Sequence, residues 1–230
     1  MDNYGYIKEN FDALSLEIAE YGKRYGRRIT LVSVTKSGTD EELVALCRAG
    51  ASDIGENRPG ELARRGALLG EAGLTPTLHE IGNLQRNKVK LIIENVALIH
   101  SLDSLSLAEE INKQAAKCGR RVPVLIEINS GREENKGGIL PECAEEFFLK
   151  VRELPSLSVA GLMTMGPVCT EPEDSRKYFR LTYELYRELS EKYGFEGEGI
   201  LSMGMSDSYK VAIEEGSTLV RVGRRLFRHD

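Results

Sequence analysis

Eight short runs of apolar and β-branched residues, each handing over to an amphipathic stretch, constrain this chain more than any other feature. The runs fall at 29–36, 51–55, 77–81, 97–102, 122–128, 158–163, 199–203 and 217–222. Strands that alternate this strictly with helices pair in parallel, because each crossover helix carries the chain back to start the next strand in the same direction. Eight repeats within 230 residues suit a closed barrel, which takes roughly 250. An open doubly wound sheet is the competitor, but no Gly-x-Gly-x-x-Gly follows the first run, where a dinucleotide fold would put it. The expected fold is therefore α/β: a single (β/α)8 barrel domain over 1–230 with an extra N-terminal helix.

That extra helix is expected over 3–25, where Tyr6, Ile7, Phe11, Leu14, Ile18 and Tyr21 recur mostly at threes and fours. Thr39 stands three residues before Glu42, the spacing of a capping box, ahead of a buried stripe of Leu43, Leu46 and Cys47. Further helices are expected at 61–69, with Arg64 and Arg65 on the wet face, at 84–94, up to Lys117, and between Pro141 and Pro155. Another, at 175–192, would bury Tyr178, Leu181, Leu185 and Leu189. Between the last two strands, Ser206 or Asp207 can cap a helix that Gly216 ends, and a short helical stretch is expected from Arg224.

The charge balance narrows the function classes. Asp and Glu outnumber Lys and Arg, 36 to 31, so no basic stripe invites nucleic acid. No apolar run approaches the length of a membrane span and the N-terminus is polar, so a cytoplasmic protein is expected. Cys47, Cys118, Cys143 and Cys169 contain no Cys-x-x-Cys pair, which argues for reduced thiols. His79, His100 and His229 are not spaced to share a helix face, and no metal is expected.

In barrels of this kind function collects where strands run out into the following helices. Those positions form a polar ring with one amine, Lys36. Its stem follows an apolar strand, so its ammonium is expected to be partly desolvated, of lowered pKa, and nucleophilic enough for Schiff-base chemistry. The helix after Ser206 would offer free N–H groups to an anion, and Gly223 would let the backbone come close, which suggests a phosphate pocket. Arg221 lies inside an apolar strand between Val220 and Val222, where a guanidinium needs a core carboxylate or a ligand atom in the mouth. Asn57 could cap a helix or orient a ligand. His79 reads as a satisfied interior imidazole, and Met163, Met165, Met203 and Met205 as packing.

Several blocks carry a family resemblance: Val-Ser-Val-Thr-Lys ending at Lys36, Ile-Gly-Glu-Asn ending at Asn57, His-Glu-Ile-Gly-Asn-Leu-Gln-Arg-Asn-Lys from His79, His-Ser-Leu-Asp-Ser from His100, Gly-Leu-Met-Thr-Met from Gly161, Leu-Ser-Met-Gly-Met-Ser ending at Ser206, and Val-Arg-Val-Gly ending at Gly223. Together they resemble the pyridoxal phosphate homeostasis protein family, from the first strand to the last. The resemblance implies a barrel like the N-terminal domain of alanine racemase, with pyridoxal 5′-phosphate (PLP) as a Schiff base on Lys36. It also implies that Asn57 lies beside the ring, that Ser206 and the backbone at Gly223 and Arg224 hold the phosphate, and that Arg221 faces the pyridine nitrogen. Three departures stand out: Arg58-Pro59 where the family often has an aromatic residue, Glu80 where it often has Phe, and Arg224 where it often has a small hydroxyl residue. The first two put the shape of the mouth in question, while Arg224 could add a charge to the phosphate.

The implied role is a monomeric, non-catalytic PLP carrier that buffers the aldehyde and supplies PLP-dependent apoenzymes. The short chain after Phe227 is expected to leave no room for the second domain that in alanine racemase supplies the opposing base. The alternative is a PLP-dependent amino-acid racemase or related enzyme that uses Lys36 and a second base such as Tyr209 or His79.

Overall fold

The chain opens with α1 (Gly5–Arg24), after which strands and helices alternate. The strands are β1 (Thr30–Val34), β2 (Asp53–Glu56), β3 (Thr77–Glu80), β4 (Leu98–Leu102), β5 (Val122–Glu127), β6 (Leu157–Met163), β7 (Ile200–Ser202) and β8 (Leu219–Val222). Between them lie α2 (Asp40–Arg48), α3 (Pro59–Glu71), α4 (Leu105–Lys117), α5 (Ala144–Arg152), α6 (Arg176–Tyr193) and α7 (Tyr209–Glu214). This computed structural model describes residues 4–229; Asn3, the expected first residue of α1, lies outside the described residues.

All eight strands run parallel and close a barrel in chain order. β8 returns to β1 with Thr30 opposite Leu219 and Ser33 opposite Val222, so the first and last strands are neighbours. Side chains alternate across each strand. One set, including Val32, Leu98, Leu125, Ala160, Met163 and Leu219, fills the barrel interior. The opposite set, with Ile54, Val220 and Val222 on one side and Val124, Ile126 and Leu201 on the other, packs outward against the helices. Between β5 and β6 the register skips Ala160, since Val124 faces Val159 and Leu125 faces Gly161. Gly161 has φ +153°, and a Cβ there would lie 1.8 Å from the Ile200 carbonyl oxygen, so only glycine allows β6 and β7 to pair at this bulge.

The helices depart from expectation in four places. Residues 84–94 form a 3-10 segment, Arg86–Leu91, not an α-helix; its tighter winding brings residues three apart into line and drives Val89 and Ile92 into the core together. α3 begins at Pro59, whose fixed φ suits the first helical position and whose missing N–H costs nothing there. In α6 the deepest residues are Phe179, Thr182 and Leu189, so the buried stripe is rotated from Tyr178, Leu181 and Leu185, which are half-buried. After β8 the chain makes turns from Arg224, not a helix.

Candidate functional site

β1 delivers Lys36 to the mouth through a loop held at several points. The capping box forms as expected: Thr39 N–H donates to Glu42 Oε2 at 2.6 Å, and Glu42 N–H to Thr39 Oγ1 at 3.2 Å. Glu42 also accepts from the Tyr6 hydroxyl, which ties α1 to the same turn. Arg65 reaches in from α3, donating to the Thr35 carbonyl at 2.6 Å, the Gly38 carbonyl at 2.6 Å and Glu56 Oε1 at 2.5 Å. Thr35 Oγ1 donates to the same carboxylate oxygen at 2.5 Å. Arg65 is therefore buried, not on the wet face; Arg64 alone is there, paired with Asp40 and Glu61. Leu62, Arg65 and Leu69 share one face of α3 at helical spacing, a signal that was present in the sequence.

At the centre of this brace Lys36 is exposed, and its ammonium pairs with no described residue. The expected desolvation is absent because Lys36 stands in the turn beyond the last residue of β1, outside the apolar run.

The closing strand supplies the neighbouring wall. Gly223 passes so close to β1 that a Cβ would lie 2.7 Å from the Val34 carbonyl oxygen. Its N–H reaches Ser206 Oγ at 3.4 Å, a long contact that leaves both groups with capacity for a further partner. Ser206 does not cap α7. The N–H groups of Ser208 and Tyr209 turn back to the Met205 carbonyl at 3.0 and 2.8 Å, so the free helix terminus expected there is used internally. Arg224 is exposed and paired with Asp207, which neutralises the charge expected to reach a phosphate. Asn57 is half-buried at the end of β2 with its amide free of described partners, and Arg58, not Asn57, precedes α3.

Arg221 points into the barrel and is 3% exposed. Its Nη1 donates to Ser202 Oγ at 2.5 Å and its Nη2 to the Thr164 carbonyl at 3.1 Å. Burial pushes it down to about 10, against the attraction of Glu127, so it stays a cation at neutral pH. Glu127, at the end of β5, is raised to about 7 by burial and by the charge of Asp103, with Arg221 opposing. Glu127 also lines a cavity of about 290 Å³ with Asn83, Asn129, Ser130 and Lys136. That cavity lies across the barrel from Lys36; Lys36, Asn57, Ser206 and Gly223 take no part in its wall.

Three comparisons bear on this arrangement. Residues 10–229 match the family model described as alanine racemase, N-terminal domain. A pyridoxal phosphate homeostasis protein of Aquifex aeolicus is 45% identical over 197 residues, covering 86% of this chain and 85% of that protein. The chain belongs to the pyridoxal phosphate homeostasis protein family. A second member, from Helicobacter pylori, is 32% identical over 96% of this chain and 98% of its own. Among solved structures, PipY of Synechococcus elongatus with PLP bound superimposes with a TM-score of 0.83 at 26% identity, over 96% of this chain and 100% of that one.

Set in this family, the departures acquire physical content. Glu80 does not shape the mouth. His79 faces the interior, so Glu80 faces the helix layer, opposite Glu56 in register. There it is fully buried, accepts only the Gly82 N–H at 3.1 Å, and leaves Oε2 without a partner. Burial and the nearby Glu56 raise it to about 8. Of the two candidate second bases, neither faces the mouth. Tyr209 packs outside the barrel against the α1 residues Leu14 and Ile18, accepting from Arg225 Nη1 at 2.5 Å. His79 is bonded on both nitrogens, to His100 at 3.0 Å and Asp53 at 3.1 Å.

Proposed function

We propose that this protein, as a single barrel domain in the cytoplasm, binds PLP reversibly as a Schiff base on Lys36, buffers the aldehyde and supplies it to PLP-dependent apoenzymes. The observation that carries this reading is the pairing of an amine that has no partner among the described residues with a backbone cradle one strand away. Lys36 follows β1, and Gly223 follows β8 at a separation only a hydrogen atom tolerates. The donor set fits a phosphorylated aldehyde: Ser206 Oγ and the N–H groups of Gly223 and Arg224 for the phosphate, Asn57 beside the ring, and Arg221 toward the pyridine nitrogen. The group itself supplies the electrophilic carbon. A permanently charged Arg221 disfavours a proton on the ring nitrogen, so the ring is a weak electron sink, which suits holding over turnover. The PLP-bound PipY structure supports the PLP-binding part of this reading.

The racemase alternative needs a second base, and the outward position of Tyr209 and the full bonding of His79 weigh against it. No helix among the described residues is long and apolar enough to cross a membrane. Reduction with borohydride in the presence of PLP should bleach a yellow band and leave the adduct on Lys36, with none in Lys36→Ala. An adduct on another lysine would refute the assignment. Amino acids in deuterated water should show no sustained Cα exchange, and steady exchange lost in Lys36→Ala would favour the racemase.

A further inference from the structure

Five side chains from five different strands form one continuous line across the barrel interior. Arg221 of β8 donates to Ser202 of β7 at 2.5 Å; Ser202 Oγ meets His100 Nδ1 of β4 at 3.0 Å. His100 Nε2 meets His79 Nδ1 of β3 at 3.0 Å, and His79 Nε2 meets Asp53 Oδ1 of β2 at 3.1 Å. Ser202 and His100 are fully buried and His79 is 4% exposed, while the Asp53 side chain, 21% exposed, reaches solvent at the opposite end of the strands from Lys36.

With neutral imidazoles at His79 and His100, the two ends dictate which way every bond in this line runs. A guanidinium can only donate, and an ionised carboxylate can only accept. With Ser202 Oγ accepting from Arg221, its own proton serves His100 Nδ1; His100 then carries its proton on Nε2 and donates to His79 Nδ1. His79 in turn donates from Nε2 to Asp53. With both imidazoles neutral, reversing any one link leaves two donors or two acceptors facing each other; only a doubly protonated His79 would let the bonds to His100 and Ser202 run the other way. The environment agrees at the centre: burial, His79 and Arg221 hold the His100 imidazole well below its ordinary range, so it is a neutral link.

We propose that Asp53, His79, His100 and Ser202 are positioning residues that act as a one-directional hydrogen-bond relay, setting the orientation of Arg221 from the floor of the barrel. The consequence for the cofactor rests on the reading above, in which Arg221 faces the pyridine ring. The guanidinium has two fixed acceptors, Ser202 Oγ and the Thr164 carbonyl, and only the first can turn. The relay holds that hydroxyl with its lone pair toward Arg221. Loosening the line at Asp53, four hydrogen bonds away from the guanidinium, should therefore be felt at Arg221.

The test separates the relay from the cofactor reading. In cofactor-free protein labelled with ¹⁵N, the histidine side-chain spectrum should show both His79 and His100 protonated on Nε2 alone near pH 7. The Nη protons of Arg221 should be resolved, as expected for a guanidinium that does not rotate freely. Asp53→Ala should collapse the Arg221 signals, and Asp53→Asn, whose Oδ1 still accepts from His79, should restore them. A proton on Nδ1 of His100, an imidazolium at His79, or Arg221 signals unmoved in Asp53→Ala would overturn the relay. On PLP-loaded protein, Asp53→Ala should weaken binding about tenfold, a little over 1 kcal/mol, with rescue by Asn. A change at Arg221 with PLP affinity and absorption unaltered would uphold the relay and refute the ring contact.

Discussion

Arg65→Met removes the side chain that braces the Lys36 loop from α3. Three bonds are lost at once, to the carbonyls of Thr35 and Gly38 and to Glu56, and all lie in a buried layer. The neutral bonds are the smaller part. The larger cost is the Glu56 carboxylate, 1% exposed, which keeps only the Thr35 hydroxyl as a described side-chain partner. Removing one member of a buried ion pair costs about 3–5 kcal/mol. For a chain of this size each kcal/mol moves the melting temperature by about 2–4 °C, so a drop of roughly 6–20 °C is expected in a thermal scan. Urea unfolding should give the same loss as a shifted midpoint with unchanged slope. The Arg65→Met, Glu56→Leu double variant should regain most of it, because a charge with no partner is then no longer buried. Its Lys36 loop still lacks the brace, so PLP binding should remain weak when stability has returned. A single variant within about 1 kcal/mol of wild type would refute the reasoning, since two such charges cannot be that weakly coupled in a buried layer.

Three further outcomes follow from the geometry. Burial pushes Glu80 up to about 8 from an ordinary 4.5, so between these pH values the unfolded chain ionises first and stability falls as pH rises, levelling above 8; Glu80→Gln should flatten this fall, leaving the share of Glu127, and parallel urea-midpoint profiles from pH 4 to 9 would refute it. Gly223→Ala puts a methyl 2.7 Å from the Val34 carbonyl oxygen and should cost about 1–3 kcal/mol together with most PLP binding, measured by equilibrium dialysis; unchanged affinity would remove Gly223 from the phosphate site. Tyr209→Phe breaks the bond to Arg225 outside the barrel and should lower the melting temperature while leaving the borohydride-trapped PLP adduct at wild-type yield; loss of that adduct would return Tyr209 to the site.

Much of this architecture was legible from local pattern. Periodicity marks each strand and most helices because burial on one face is a property of the segment itself, and eight parallel crossovers leave few closures other than a barrel. The Thr39 capping box was readable because both its bonds span three residues. The same pattern places Arg65 beside Leu62 and Leu69 on one face of α3.

Lys36, Asn57, Ser206, Arg221 and Gly223 stand at or near the ends of runs that the sequence marks, although β1 stops at Val34, two residues short of Lys36. Their surroundings are not marked in this way. Whether Lys36 is wet or desolvated depends on where β1 stops relative to β8, and Arg224 is neutralised by Asp207 only because two loops meet. The line from Arg221 to Asp53 joins residues up to 168 positions apart, and nothing in the order of residues pairs His79 with His100. Hydrogen bonds of that kind exist only once the barrel closes with a definite register, because a one-residue slip would turn each of these side chains to the opposite face. The order and number of the strands belonged to the sequence; which polar groups share the interior belonged to the closed barrel.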